Sequence, residues 1–306
     1  MILIGWAQGS KINIMMDGLS HSIPAPWVRL GAPIKMGLQS CAPEDWLLAP
    51  DAFGDDTVLS RHVALKETLA AQHHDAIFQA FPEADDAAEE LLALITENLK
   101  THHQMPLPQA DQLHPLDHAA RYVPEDLLLL APEQPPNDKG ETGHWVLKAG
   151  SLTFPSHWVL AEKMGLPMAG IHAPVPHYGE KLARPVDRFF DAMLTGPISL
   201  RRNWTLQEGD ELYAPSRHEH SPFTVDDIGR RLHVRVERQT LRKLPKSGWI
   251  VFTIQTAIAP INRWEKDAEA LGALLDLMDV MTPAMLEYRG AHHYMDVLKS
   301  WVKQAG

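Results

Sequence analysis

The stretch that decides the fold is residues 151–190, SLTFPSHWVLAEKMGLPMAGIHAPVPHYGEKLARPVDRFF. Its first part predicts a short helix that Ser156 can cap and that Gly165 and the following proline end. Extended, proline-rich backbone is predicted next, in AGIHAPVPHY. A second helix begins at Pro185. Its apolar residues recur at helical spacing on one face, and they are Val186, Phe189, Phe190, Met193 and Leu194.

Two histidines, His172 and His177, lie between these helices, on a segment stiffened by Pro174 and Pro176. A stiff segment of this kind can present an imidazole to a metal or a cofactor. The alternative is a rigid loop with one buried and one exposed histidine, since histidine is often partly buried. The pattern alone leaves both interpretations open.

Composition excludes several classes of function. The chain has 306 residues, 45% of them hydrophobic, which supports a sizeable core. A net charge of −11 argues against binding nucleic acid through a broad basic surface. Cys41 is the single cysteine, so the chain cannot form an internal disulfide or hold an iron–sulfur cluster by itself. A redox metal would need histidine, carboxylate, tyrosine or methionine ligands, and the 17 histidines leave that open.

No stretch reads as a signal peptide or a membrane span. The apolar start MILIGWAQGSKINIMM is short and is interrupted by polar residues. No run reaches the roughly 18 apolar residues that a membrane helix needs. We therefore expect a cytoplasmic protein without a membrane partner.

The N-terminal part of the chain is predicted to be helical. Residues 1–34 are weakly patterned and are interpreted as a loosely attached arm. Helices are predicted over residues 57–81 and, most clearly, over 83–100, where acidic residues precede a leucine-rich stripe. The segment HPLDHAARYVPEDLLLL is interpreted as two short helices separated by Pro124. A proline-rich linker then predicts a boundary after residue 140.

Beyond the linker the hydrophobic period approaches two, which indicates strands. Four strands are predicted, at residues 145–154, 198–206, 232–241 and 249–258. A turn at LPKSG joins the last two as an antiparallel hairpin. Because helices and strands do not alternate regularly, we predict an α+β fold with an antiparallel sheet and helices on one side. Residues 141–260 would form this core and 261–306 C-terminal helices, while the loop 207–231 is a candidate lid or a loop that contacts a partner.

Two arginines interrupt the apolar faces of the predicted strands. Arg202 shares a face with Leu200 and Trp204, and Arg238 shares one with Val234 and Val236. A guanidinium on an apolar face is costly unless it meets an anion or several acceptors. An anionic ligand at the sheet accounts for the pattern as well as a structural origin does, either an arginine–carboxylate pair or a strand end that reaches solvent.

Several long motifs resemble the haem-dependent oxidative N-demethylase α-subunit-like family, and they occur in the family's order. The similarity runs from about Ile34 to Pro260; its clearest motifs are SLTFPSHWVLAEKMGLPMAGIHAPVPHY, RPVDRFF, RRNWTL and VRVERQTLRKLPKSGWIVFTIQT. The resemblance implies a PAS-like domain that binds haem b and uses dioxygen.

The resemblance also implies site residues. His172 lies in the IHAPVP motif and is the candidate proximal ligand of the haem iron. His177 is a weaker candidate, because it occupies a position where the family pattern leads us to expect glycine. Glu237 and Arg238 lie in the RVERQTL motif as candidate pocket residues, one to hold a protonated amine and one to bind oxygen or a propionate. Arg202 is a further candidate for contacting the cofactor.

The implied function is the oxidation of an N-methyl group of a small amine, with release of formaldehyde. The two electrons must come from elsewhere, because the sequence has no GxGxxG motif and no cluster ligands. A separate reductase carrying flavin or an iron–sulfur cluster is therefore the expected partner.

Two alternatives remain open from the sequence. The chain could be a haem-binding PAS-like sensor or binding protein that performs no turnover. It could also be an enzyme with a non-haem metal held by His233 and Glu237, although such sites need a further histidine that the pattern does not identify.

Overall fold

The computed structural model describes residues 25–30, 37–48, 58–107, 112–135, 137–140, 142–216 and 221–305. These residues contain one seven-stranded, entirely antiparallel sheet with the order β1-β5-β6-β7-β3-β4-β2. The strands are β1 (Gln39–Cys41), β2 (Phe78–Ala80), β3 (Asp126–Pro132), β4 (Trp145–Ser151), β5 (Ile198–Glu208), β6 (Leu232–Lys243) and β7 (Ile250–Pro260). The predicted antiparallel sheet and α+β class are confirmed.

Helices precede, interrupt and follow the strands in the chain. The longest are α2 (Val58–Ile77), α3 (Asp85–His103), α8 (Ala183–Ala192), α10 (Ala268–Asp279) and α12 (Met295–Ala305). The shorter ones are α1 (Pro26–Leu30), α4 (Pro115–Ala120), α5 (Leu160–Lys163), α6 (Met168–Ile171), α7 (Tyr178–Lys181), α9 (Ile228–Arg231) and α11 (Pro283–Tyr288).

Both faces of the sheet are covered, so the prediction of helices on one side was wrong. On one face, called the closed face here, β3, β5 and β7 pack with α3 and α4 at one end and with the C-terminal helices at the other. On the opposite face, called the cavity face, β3, β6 and β7 pack with α5, α6 and α8. Because side chains alternate along each strand, neighbouring residues of one strand lie on different faces.

The interior strand β3 was not predicted. Its sequence DLLLLAP was interpreted as part of a short helix, but it pairs with β7 on one side and β4 on the other. The side chains of Leu127 and Leu129 lie on the closed face of the sheet, and those of Leu128 and Leu130 lie on the cavity face. A strand buried on both faces loses the polar alternation that identifies strands in a sequence. The predicted linker is the connection between the hydrogen-bonded strands β3 and β4.

The bounds of the other elements follow the predictions with local differences. Strands β4 to β7 lie where four strands were predicted. The segment predicted to be extended contains α6, and His172 caps the C-terminus of that helix. Helix α8 begins two residues before Pro185 and ends at Ala192, so Leu194 lies beyond its apolar face and is 72% exposed.

Of the predicted loose arm, residues 1–34, the structure describes residues 25–30, and this part is anchored to the core. Trp27 in α1 is buried, donates from Nε1 to the carbonyl of Ala270 at 2.6 Å, and packs edge-on against Trp204 and Trp264. The remainder of residues 1–34, apart from Ala25 and α1, lies outside the described residues. Across the described parts of the chain, no helix is both long and apolar enough to traverse a bilayer.

Candidate functional site

A cavity of about 900 Å³ lies between the cavity face of the sheet and the helical segment that contains α5 to α8. That volume is at the upper end of the range usual for cofactor and small-molecule sites. Most of the wall is apolar: the sheet contributes leucine, phenylalanine and isoleucine side chains, and the helices contribute others. The sheet residues are Leu128, Leu130, Leu147, Leu241, Phe252 and Ile254, and the helical ones include Met168, Ile171, Val186, Phe189 and Phe190.

His172 is presented to this cavity by the end of α6. Its Nδ1 lies 3.0 Å from the carbonyl oxygen of Met168, one helical turn earlier. Because a carbonyl only accepts, Nδ1 carries the proton and the lone pair of Nε2 remains available. The imidazole stacks on Tyr178, with ring centroids 4.5 Å apart and planes 9° apart. Burial lowers the pKa of His172, which keeps the ring in the neutral form that binds metals.

Tyr178 and Arg201 extend this arrangement from the helices to the sheet. Burial raises the pKa of Tyr178 to about 12, so the phenol keeps its proton. The guanidinium of Arg201 on β5 interacts electrostatically with both Tyr178 and Glu237, and burial lowers its pKa. Its Nε atom is buried without a hydrogen-bond partner. A buried guanidinium with unused donors is suited to an anionic group of a ligand.

Glu237 lies on β6 at the polar end of the cavity and is fixed from both sides. Arg235 approaches one carboxylate oxygen with its Nε at 3.3 Å, and Gln239 donates to the other at 2.9 Å. Arg235 itself is buried and donates to the carbonyls of Phe154 and Leu212. The remaining lone pairs of Glu237 can accept hydrogen bonds from a cation in the cavity.

Of the residues predicted from the sequence, His172 and Glu237 line the cavity, and Arg202, Arg238 and His177 do not. Arg202 and Arg238 face each other as a cross-strand pair on the closed face. Arg238 is 2% exposed there and donates to the carbonyls of Trp46, at 3.0 Å, and Asp45. The face of Val234, Val236 and Arg238, which was predicted to border the pocket, does not line this cavity at those three residues.

His177 lies outside the cavity, with its Nδ1 3.3 Å from Glu180 in the first turn of α7. Its backbone is in the left-handed region, at φ 62° and ψ 11°. Glycine adopts that conformation without the steric cost that other residues carry. The backbone geometry thus gives a physical reason for the glycine that the family pattern predicts at this position.

The alternative of a non-haem metal at His233 and Glu237 finds no geometric support. The two residues are four apart on one strand, which places them about 13 Å from each other along it. His233 directs Nδ1 to the carbonyl of Arg231 at 3.0 Å. In the part of the chain that the structure describes, no three histidine, cysteine, aspartate or glutamate side chains form a group able to hold a metal ion.

Sequence reasoning missed Arg201 and Tyr178. Arg201 stands next to Arg202, and its neighbours of the same parity on β5, Ser199 and Asn203, are polar. Those neighbours form a polar row across two strands: Asn203 faces Glu237 and Arg201 faces Gln239 in the register of β5 and β6. A polar row on two neighbouring strands was the signal for a site, since a sheet covered on both faces has no solvent face to accommodate it.

The family comparison covers most of this structure. The model of the family described as "Haem-dependent oxidative N-demethylase, alpha subunit-like" matches residues 95–299, which is more than half of the chain and includes His172, Tyr178, Arg201 and Glu237. The chain belongs to this family.

Proposed function

From this family membership we propose that the protein is a haem-dependent oxidative N-demethylase that binds haem b through His172 and acts on a small methylated amine. The observation that carries the proposal is the geometry of His172: Nδ1 donates to the carbonyl of Met168, and the ring lines a cavity with apolar walls. Histidines that ligate metals commonly donate their other ring N–H to such an acceptor, which fixes the ring and its tautomer.

The residues around His172 fit a porphyrin. The apolar side chains of the sheet and of α6 and α8 suit the flat, apolar macrocycle and exclude water from it. Tyr178, stacked on His172, holds the imidazole plane. Arg201 has a buried Nε without a partner, and its guanidinium would pair with a propionate carboxylate.

When bound, haem supplies the redox chemistry with dioxygen on which oxidative demethylation depends. The reaction balances when a secondary N-methyl amine, dioxygen, two electrons and two protons give the primary amine, formaldehyde and water. The electrons come from outside this chain, and the α-subunit in the family's description supports a partner subunit as their source. We assign that role to a reductase carrying flavin or an iron–sulfur cluster.

Glu237 is the residue proposed to hold the amine. A methylated amine is protonated and cationic near neutral pH, and Glu237 presents a carboxylate to the cavity. Arg235 and Gln239 each occupy one position on that carboxylate and fix its orientation. The substrate N–H would donate to a remaining lone pair of the carboxylate, which positions the N-methyl group relative to the cofactor.

Haem binding is tested with two single variants of the same loop. His172→Ala and His177→Ala each remove one imidazole, but only His172 lines the cavity. After reconstitution with haem b, we expect His172→Ala to show an altered Soret band and at least a tenfold weaker haem affinity, and His177→Ala to match the wild type. Full occupancy with an unaltered spectrum in His172→Ala would refute the assignment.

Turnover is tested with Glu237→Gln against the exposed control Glu162→Gln. The haem-loaded proteins are supplied with dimethylamine or trimethylamine, NADH and a flavin reductase, and oxygen uptake and formaldehyde are measured. We expect Glu237→Gln to raise the KM for the amine at least tenfold while haem content stays unchanged. Haem binding without formaldehyde for any methylated amine would instead favour the haem-binding sensor.

A further inference from the structure

The cavity does not end at the site around His172 but continues past the edge of β5. Strand β1 pairs with β5 only at Ile198–Leu200, so within the described residues the rest of β5 has no neighbouring strand on that side. The cavity extends over this edge towards the C-terminal helices. We call this extension the C-terminal lobe; it is lined by Trp204, Met285, Tyr288, Arg289 and Tyr294.

Arg289 is the one cationic side chain of this lobe as defined, and few of its donors are used. Its Nη2 donates to the carbonyl of Trp204 over a long 3.4 Å, and its guanidinium carbon lies 5.1 Å from the centre of the Trp204 ring. The Nε atom is buried without a partner. Among the residues that the structure describes, no carboxylate lies within 4 Å of this guanidinium, and burial lowers its pKa.

Arg231, which also lines the cavity, is an arginine whose donors are used within the chain. It forms ion pairs with Glu208 and Asp227, and it donates to the carbonyls of Pro222 and Ser221. A guanidinium offers five N–H donors in a planar fork that matches a carboxylate. Arg289 presents the same fork to a cavity and meets no such partner in the described chain.

We propose that the C-terminal lobe is a carboxylate-binding subsite, in which the fork of Arg289 receives a carboxylate and the rings of Trp204, Tyr288 and Tyr294 flank the group that carries it. A buried cation without an anion is costly, and a bound carboxylate removes that cost. The stacking of the guanidinium against Trp204 orients the fork before the ligand arrives.

This subsite is separate from the one at Arg201. Arg201 and Trp204 are three residues apart on β5, about 10 Å along the strand, and they lie on opposite faces of it. The carboxylate at Arg289 has two possible sources. One is a propionate of the haem, and that alternative rests on the proposed function. The other is the carboxylate of a second small molecule, which is independent of the proposed function.

Benzoate is the probe, because it joins a carboxylate to an aromatic ring. Its binding to the haem-free protein is followed by calorimetry for the wild type, Arg289→Gln and the exposed control Arg184→Gln. We expect Arg289→Gln to bind benzoate at least ten times more weakly and Arg184→Gln to match the wild type. If Arg289→Gln does not fold, Arg289→Lys replaces it; loss of the planar fork should still weaken binding severalfold.

Haem titrations of the same variants identify the source of the carboxylate. If the haem-loaded wild type still binds benzoate, the subsite serves a small-molecule carboxylate. If haem blocks benzoate and the Arg289 variant binds haem at least tenfold more weakly, the subsite serves a propionate. Unchanged dissociation constants for both benzoate and haem in the Arg289 variant would overturn the proposal, whether or not the protein demethylates amines.

Discussion

Arg238 and Arg201 lie on the neighbouring strands β6 and β5 but on opposite faces of the sheet, and their surroundings differ. On the closed face, Arg238 donates to the carbonyls of Trp46 and Asp45 and to the sulfur of Cys41, so it fastens the segment before α2 to the sheet. The Nε atom is buried without a partner in both arginines, but on the cavity face Arg201 has, among the described residues, only electrostatic neighbours, Tyr178 and Glu237, and none of the hydrogen bonds that Arg238 makes.

The same contrast extends beyond the two arginines. Glu125 and Lys66 are fully buried and are bonded to the backbone: one Glu125 oxygen accepts from the amide of Leu48, and Lys66 donates to the carbonyls of Val123 and Glu125. The second oxygen of Glu125 has no hydrogen-bond partner in the described chain. On the cavity face, Arg201 and Glu237 instead line the cavity. A buried polar group whose partners belong to the chain serves stability, whereas one whose partners are missing from the chain indicates a ligand.

The largest expected effect comes from the matched variants Arg238→Met and Arg201→Met. Removing Arg238 leaves two buried carbonyls without their donor, so we expect a loss of about 4 kcal/mol in the free energy of unfolding of the haem-free protein. Arg201→Met removes a poorly satisfied buried charge, and we expect it to change stability by less than about 1 kcal/mol. Urea denaturation of both variants measures the difference.

Haem affinity should show the opposite order of effects for the same two variants. Arg201→Met should weaken haem binding, and Arg238→Met, measured where it is folded, should not. Equal losses of stability in the two variants would show that both arginines are structural and would remove the contrast between the faces.

The next largest effect is a pH dependence of the free energy of unfolding, caused by Glu125 near the closed face. Burial raises the pKa of Glu125 from its ordinary 4.5 to about 7. Between these values the folded protein holds a proton that the unfolded chain has lost, so this group's contribution to stability falls as the pH rises, by about 3 kcal/mol in all. It is fully present below pH 4.5 and is lost once the pH passes about 7.

Glu125→Gln isolates this contribution, because glutamine does not titrate while the nearby Lys66, Asp126 and Arg238 remain. Unfolding free energies of both proteins are measured from pH 4.5 to 7.5. Relative to the variant, the wild type should become less stable as the pH rises. Two parallel curves would mean that Glu125 is ionised in the folded protein throughout this range, and that the closed face contains a paired charge rather than a neutral acid.

The sequence predicted the parts of the fold whose two sides differ in polarity. Strands β4 to β7 and the helix α3 have such patterns and were found. Strand β3 was missed because both of its faces are apolar, and the local leucine run is equally compatible with a helix. The ligand candidate His172 came from its motif and its stiff setting, and the structure places it in the cavity.

The proposal of Arg238 as a pocket residue and the omission of Arg201 have a cause that applies to sites in general. Alternation shows which residues share a face, but not which face borders a cavity. The residues on the other face of β6 are polar, and of these only Glu237 was proposed for the haem pocket, whereas in the structure His233, Glu237 and Gln239 all line the cavity between the sheet and the helices α5 to α8. The position of those helices depends on tertiary packing, which the local pattern does not contain.

The smallest expected effect concerns the rim of the cavity face, where His177 has φ 62° and ψ 11°. This conformation destabilises the folded state by about 1–2 kcal/mol when the residue is not glycine. Glycine removes that cost, but it also makes the unfolded chain more flexible, which lowers stability by about 0.4–1 kcal/mol. The half-exposed contact with Glu180 contributes little. We therefore expect His177→Gly to stabilise the protein by about 0.5 kcal/mol and to leave haem affinity unchanged.

His177→Ala is the control, because it removes the imidazole but keeps Cβ, and it should not stabilise the protein. Thermal unfolding of both variants decides: a destabilised His177→Gly, or a loss of haem from it, would mean that the imidazole itself supports the cavity face.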